Sequence, residues 1–308
     1  MKTVTKQSAY ISHLGYRLGS TSLSLADLDK AKYLHSPVKY LSSVGFSEIH
    51  VFKQNSEVER SVIGLVRQAV LVASPSMVVY YSGIDEVSTG ADLLDKFTYK
   101  TSRVTHQAGL NGIRQISLNQ AGCSGVFEAI DLARSEINNG DVVCVMSDRL
   151  PTNSPREVQY NVMSDAASTV TISTSGWLKI VDIHTVYAQQ FWNTKEDIEK
   201  ITASYFTFAV RCIREAMDKS NLELSDIDMV IPHNVSLKSW QLLCQLIDYP
   251  IEKVYTKNIS SVGHTVSSDL IINLHSARKD KLLVPGMKLL AFTYGFGSSW
   301  SAMVLEVQ

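Results

Sequence analysis

A cysteine between two glycines is the strongest chemical signal in this sequence. The run Gly122-Cys123-Ser124-Gly125 comes directly before an amphipathic segment. Glycines permit a tight turn and a close approach of a ligand to the backbone. A helix N-terminus offers unpaired N–H groups and partial positive charge, which favour the nucleophilic thiolate over the thiol. The backbone N–H of Cys123 can also face an oxyanion on an attached acyl group. We therefore predict a nucleophilic cysteine, although most free cysteines are simply small buried residues.

The other three cysteines are interpreted as small hydrophobic residues. Cys144 lies in a strand-like run, and Cys212 and Cys244 lie in helical patterns. No Cys-x-x-Cys pair occurs, so the sequence predicts neither a metal site nor a disulfide scaffold.

Two of the eight histidines stand in positions that suit catalysis. His233 follows the strand-like segment Asp228–Ile231 and Pro232, and α/β proteins gather ligand-binding groups at the C-terminal ends of strands. His264 lies in a glycine turn before a helix-like segment at 270–277. Together with Cys123 they form a candidate Cys-His-His set. The remaining histidines are interpreted as surface or structural residues: His13, His35, His50, His106, His184 and His275.

The elements that must position these residues alternate between strand-like and helix-like patterns, which indicates α/β architecture. Strands are predicted at 77–81, 141–146, 228–231, 287–294 and 301–307, the last two as a hairpin around Gly295-Phe296-Gly297. Helices are predicted at 126–137 and 197–219, and the second is apolar on most faces, so we expect it to be central and buried. The same order in both parts predicts two similar halves, 1–173 with the cysteine and 174–308 with both histidines.

The composition bounds the class of protein. The 308 residues are 45% hydrophobic and 19% charged, with a formal net charge of −1. That balance argues against a nucleic-acid binder. The apolar runs are shorter than the roughly 20 residues of a membrane helix, and no apolar core of a secretory signal follows the N-terminus. We therefore expect a globular cytoplasmic protein without a membrane or nucleic-acid partner.

Four motifs in order resemble β-ketoacyl-acyl-carrier-protein synthase III and its relatives in the thiolase superfamily. Gln120–Gly125 resembles the nucleophile motif, Pro232-His233-Asn234 is similar to a strand ending in Pro-His-Gln, Gly263-His264-Thr265 falls where the family has Gly-Asn-Thr, and Gly295–Ala302 resembles the closing glycine-rich hairpin. The resemblance implies a five-layer α-β-α-β-α fold of two similar halves. It also implies a homodimer, or a heterodimer with a related subunit.

The family's roles carry over to matching positions. Cys123 would be acylated by a thioester of coenzyme A or acyl carrier protein, with no tightly bound cofactor and no metal. His233 would donate a hydrogen bond to the incoming thioester. The N–H groups of Cys123 and Gly297 would form the oxyanion hole. Lys238 would face an acidic carrier protein, although a solvated helix lysine is its simpler interpretation.

The sequence also departs from the family, because His264 replaces an asparagine. Asn258 is a weaker candidate for that asparagine, since aligning it there requires a gap. Two imidazole donors suit a thioester enolate, so we expect decarboxylative Claisen condensation with a malonyl-type thioester in fatty-acid, polyketide or other secondary metabolism. Histidine is also a general base, so transfer to an oxygen or nitrogen nucleophile is the alternative. An auxiliary subunit of a synthase is the alternative from another class, and a papain-like hydrolase is a third.

Overall fold

The computed structural model describes residues 7–84, 97, 99–151, 153–159, 161–296 and 299–308. The strands are β1 Ala9–Leu18, β2 Thr21–Ser24, β3 Glu48–Val51, β4 Pro75–Tyr81, β5 Arg114–Leu118, β6 Asp141–Asp148, β7 Glu157–Val158, β8 Asn161–Val162, β9 Ala166–Ser173, β10 Leu178–Tyr187, β11 Met229–Pro232, β12 Lys288–Gly295 and β13 Ser299–Val307. The α-helices are α1 Leu25–Lys30, α2 Val38–Ser43, α3 Asn55–Val70, α4 Lys100–Gln107, α5 Gly125–Glu136, α6 Thr194–Ser220, α7 Leu237–Ile247, α8 Lys257–Val262 and α9 Asp269–Lys279.

Nine strands form one sheet in which two similar sets of strands meet in the middle. Reading outward, the first set runs β1-β9-β6-β4-β5 and the second runs β10-β13-β12-β11. In each set the innermost strand pairs with the strand of that set that comes last in the chain, and this strand pairs with the next one; both pairings are antiparallel. The outer strands of each set then pair in parallel. Among the described strands, the two sets pair with each other where Ala9–Ile11 lie beside Leu178–Ile180. This repeated order explains why strand-like and helix-like patterns recur in both parts of the sequence.

Helices cover both faces of each set of strands, which gives five layers. Alternate residues of a strand point to opposite faces, so Met77 and Val79 of β4 contact α5 while Val78 and Tyr80 face α3. Helices α5 and α9 pack in one cluster with strands of both halves, and this cluster is the central layer. The outer layers are α3 with α4 on one side and α6 with α7 on the other. The predicted thiolase-like five-layer α/β fold is confirmed.

The predicted central position of the helix at 197–219 is wrong. Helix α6 lies in an outer layer against β10 and β13, and its buried residues occupy one face. Part of its remaining apolar surface, including Ile198 and Phe206, lines a cavity rather than the core. The helices that are central, α5 and α9, are shorter. None of the helices within the described ranges combines the length and apolarity needed to cross a membrane.

Candidate active site

The turn that carries Cys123 is packed so closely against its neighbours that only glycine fits at two of the contacts. Residues Gly122–Ser124 form a single 3-10 turn that leads into α5. A Cβ atom on Gly125 would lie 1.9 Å from the ring of Tyr81, and one on Gly295 would lie 2.2 Å from the carbonyl oxygen of Ala121, which directly precedes this turn. The Tyr81 hydroxyl donates to the Gly122 carbonyl at 2.5 Å. The turn is therefore fixed between β4 and the C-terminal hairpin, with Cys123 at the entrance of the helix.

The His264 ring is in direct contact with the sulfur of Cys123. Its ring atom Nε2 is 3.1 Å from Cys123 Sγ, and both side chains are buried. The backbone on either side of His264 is tied to the N-terminal half, since its N–H donates to Val162 and its carbonyl accepts from Ser164. Gly263, with φ at +73°, provides the left-handed turn that delivers the histidine there. The structure thus brings together two residues 141 positions apart.

Asp269 is a site residue that the sequence analysis missed. Its Oδ2 atom is 2.5 Å from His264 Nδ1, so cysteine, histidine and aspartate form a continuous chain of contacts. The same carboxylate accepts hydrogen bonds from the N–H of Asn234 and from the N–H and hydroxyl of Thr265. The available signal was an acidic residue in the first turn of a helix, five positions after a candidate histidine. That pattern is common at helix starts for reasons unrelated to catalysis.

The side chains of His264 and Asp269 hold opposite charges. Burial by itself would lower the pKa of His264, but the charges of Asp269 and Cys123 outweigh it and raise the pKa well above 6.5. Burial would likewise raise the pKa of Asp269, but the charge of His264 and the donated hydrogen bonds keep it below 3.8. An imidazolium held by a carboxylate is thus the favoured state beside the sulfur.

His233 is a neutral imidazole in the same cavity. Burial, with the charge of His264, lowers its pKa to about 3. The two histidine rings lie 6.1 Å apart between centroids. Tyr205 of α6 brings its hydroxyl to 3.5 Å from His233 Nε2, and Trp240 donates to the His233 carbonyl. The sequence offered no signal for Tyr205, whose position depends on how α6 packs.

The cavity in front of the cysteine has a volume of about 460 Å³. Such a volume suits a small organic group. Its described lining contains the three predicted residues and otherwise aromatic, aliphatic and uncharged polar side chains: Cys123, Val158, Gln159, Asn161, Met163, Ile198, Ile201, Thr202, Tyr205, Phe206, His233, Val235, Ser239, His264, Tyr294 and Phe296.

The remaining candidate residues from the sequence are Gly297, Lys238 and Asn258. Gly297 lies outside the described residues. Lys238 is exposed in the first turn of α7, next to Ser239 of the cavity. Asn258 is buried in α8, where its side-chain amide donates to Asn273, and it is not among the lining residues. Asn258 is therefore a structural residue in this fold.

The chain is similar to known proteins in both sequence and fold. The family described as "3-Oxoacyl-[acyl-carrier-protein (ACP)] synthase III C terminal" matches residues 217–307. A β-ketoacyl-acyl-carrier-protein synthase III of Aquifex aeolicus is 26% identical over 228 residues, which cover 68% of this chain and 72% of that protein. The structure of FabH from Pseudomonas aeruginosa superposes with a TM-score of 0.79 at 18% identity, covering 97% of this chain and 98% of that one.

A second solved structure, ChlB3, named as an acyltransferase, gives a TM-score of 0.83 at 15% identity, covering 97% of this chain and 98% of that one. The resemblance to β-ketoacyl-acyl-carrier-protein synthase III is thereby confirmed.

Proposed function

We propose that this chain is an acyltransferase of the ketosynthase III type that carries an acyl group on Cys123 and passes it to a hydroxyl or amine acceptor. The observation that carries the proposal is the chain of contacts from Cys123 Sγ to His264 Nε2 at 3.1 Å and from His264 Nδ1 to Asp269 at 2.5 Å. A nucleophile, a base and a group that orients the base form the triad arrangement that recurs in enzymes of covalent acyl transfer.

In the loading step the sulfur of Cys123 attacks the carbonyl carbon of an acyl thioester. The new carbon–sulfur bond forms, the bond to the departing thiolate breaks, and the protonated His264 gives its Nε2 proton to that thiolate. The N–H of Cys123, at the entrance of α5, stabilises the tetrahedral oxyanion. This step gives His264 a part in acyl loading, as the acid that protonates the leaving group, in addition to the later role expected from the sequence.

In the transfer step the neutral His264 takes the proton of the acceptor hydroxyl or amine. The acceptor oxygen or nitrogen forms a bond to the acyl carbon, and the Cys123 thiolate leaves beside the imidazolium that has just formed. Asp269 stabilises that imidazolium throughout, because its carboxylate is already aligned with Nδ1. The step restores the starting charge state without an additional proton donor.

Decarboxylative condensation with a malonyl-type thioester is the second candidate. It is supported by the similarity to β-ketoacyl-acyl-carrier-protein synthase III and by a second imidazole, His233, which is neutral and faces the same cavity. A neutral ring N–H can donate to an enolate oxygen without first losing a charge. In that reaction the bond to the carboxylate breaks and carbon dioxide leaves, and the resulting enolate carbon forms a bond to the acyl carbon on Cys123. The acyl carbon–sulfur bond then breaks, so that the Cys123 thiolate leaves beside the imidazolium of His264.

The donor in either case is an acyl group on coenzyme A or on an acyl carrier protein, as the name of the Aquifex relative suggests for the second. The exposed Lys238 beside the cavity is the residue that we propose contacts an acidic carrier protein.

We also propose that the protein forms a homodimer. Within the described part of the chain, β5 pairs with β4 on one side only, so a second copy has an edge available.

The test is intact mass measurement after incubation with acyl-coenzyme A or acyl carrier protein. We expect one acyl adduct that disappears in Cys123→Ala; an adduct that persists in this variant would contradict the assignment. The loaded enzyme is then offered a malonyl thioester or a mixture of alcohols and amines. Carbon dioxide release with a new carbon–carbon bond would identify condensation, and ester or amide formation would identify transfer. A chain that never loads would instead be an auxiliary subunit.

A further inference from the structure

We propose that Asp148, which does not line the cavity, is a positioning residue that holds the loop from His264 to Asp269 against the cysteine. This inference rests on the proposed function, because it concerns the same pair of residues. Asp148 is the last residue of β6 in the N-terminal half and is fully buried. The loop that it contacts belongs to the C-terminal half, so the carboxylate connects the two halves beside the active site.

The contacts of Asp148 are numerous and divided between two loops. Its Oδ1 atom accepts the N–H groups of Gly83 at 2.7 Å and Ile84 at 3.2 Å, just after β4. Its Oδ2 atom accepts the N–H of Ser267 at 3.1 Å and the Ser267 hydroxyl. Burial raises the pKa of Asp148. All four facing groups donate, however, so the ionised carboxylate is the form that satisfies them.

The loop needs such an anchor because its middle residue is strained. Val266 has φ at +59°, a left-handed conformation that a β-branched residue rarely adopts. A strained residue of this kind persists only where the surroundings fix it. The anchored Ser267 is the next residue. Val266 in turn packs in a small apolar cluster with Cys123, Leu150 and Met163.

The two ends of this loop are the two residues that need accurate placement. His264 begins the loop and Asp269 ends it, so relaxation of Val266 to negative φ would rotate one against the other and against the sulfur. A shift of about 1 Å is enough to cost a catalytic group much of its effect. Asp148 therefore acts on the cysteine through the loop, without touching the reacting atoms.

The experiment compares Asp148→Asn and Ser267→Ala with the unmodified protein by the pH dependence of Cys123 alkylation with iodoacetamide. In the unmodified protein the imidazolium beside the sulfur should keep alkylation rapid at pH 6. In Asp148→Asn the rate at pH 6 should fall by roughly tenfold, with much less change at pH 9, because the thiolate loses its partner. Ser267→Ala removes one of the four donors and should give a smaller change in the same direction.

The control is Asp141→Asn, at the opposite end of the same strand, where the carboxylate accepts the Ser74 N–H. It should lower stability at most and leave the pH profile of alkylation in place. If Asp148→Asn does not fold, Ser267→Ala decides the question. The inference is overturned if Asp148→Asn folds and shows the same pH profile of Cys123 alkylation as the unmodified protein. If Asp148→Asn does not fold, the same profile in Ser267→Ala overturns it. If the unmodified protein forms no acyl adduct on Cys123, it is the proposed function that fails.

Discussion

Replacing Asp269 with asparagine is the substitution that best distinguishes a Cys123-His264-Asp269 triad from a site in which His233 and His264 act independently of a carboxylate. The amide has nearly the shape of the carboxylate but no charge. If its NH₂ group faces His264 Nδ1, the imidazole must carry its proton on Nε2, toward Cys123 Sγ, and can no longer accept one. If its oxygen faces Nδ1, the NH₂ group faces the N–H and hydroxyl of Thr265, which both donate to Asp269 in the native site.

The expected loss follows from the burial of this pair. Asp269 is 1% exposed, so its charge is not replaced by solvent when it is removed. In a Ser-His-Asp triad the same exchange slows catalysis by about 10⁴, because the imidazole is held in the wrong tautomer. Loss of the imidazolium beside the sulfur should therefore slow acyl loading of Cys123 by roughly 10² to 10⁴, which corresponds to about 3 to 6 kcal/mol in the activation barrier.

The assay is single-turnover acyl loading from acyl-coenzyme A, followed by quenching and intact mass measurement. Asp280→Asn is the matched control, because Asp280 directly follows the same helix and accepts from Tyr255 and Lys257 outside the cavity. It should load at the unmodified rate. Loading by Asp269→Asn within threefold of the unmodified protein would refute the reasoning, and the two histidines would then act without an orienting carboxylate.

Three further predictions follow from other contacts. Gly125→Ala should destabilise the protein by about 3 kcal/mol in chemical unfolding, because its Cβ meets the Tyr81 ring, whereas Gly64→Ala, in open space on α3, should stabilise it by about 0.5 to 1 kcal/mol. His233 has a pKa of about 3 when folded and near 6.5 when unfolded, so the unfolded chain binds the extra proton and stability should fall as pH drops from 6.5 to 3. His233→Gln should flatten that fall in the free energy of unfolding. Lys238→Glu should slow loading from acyl carrier protein a few-fold at low salt, and the difference should disappear in high salt, as stopped-flow measurement would show.

The sequence by itself was sufficient for the class of fold and for proposing Cys123, His233 and His264, which the structure brings to one cavity. Glycines around Cys123 and a helical pattern after it are local features, and so are the strand that ends before His233 and the turn that carries His264. Each depends on backbone conformation within a few residues, which residue type controls directly. The motifs also carried the resemblance that the comparisons confirm.

Only the tertiary structure decided which groups act on one another. Asp269 joins the site because the loop from His264 is fixed against the other half of the molecule, and Tyr205 reaches His233 because α6 packs over the cavity. The apolar pattern of α6 led to the wrong prediction of a central position for this helix. Such a pattern indicates that a helix face is shielded from water, but it does not indicate whether the protein core or a cavity lies against that face. The distance from sulfur to imidazole is likewise set by packing between halves that are far apart in the chain.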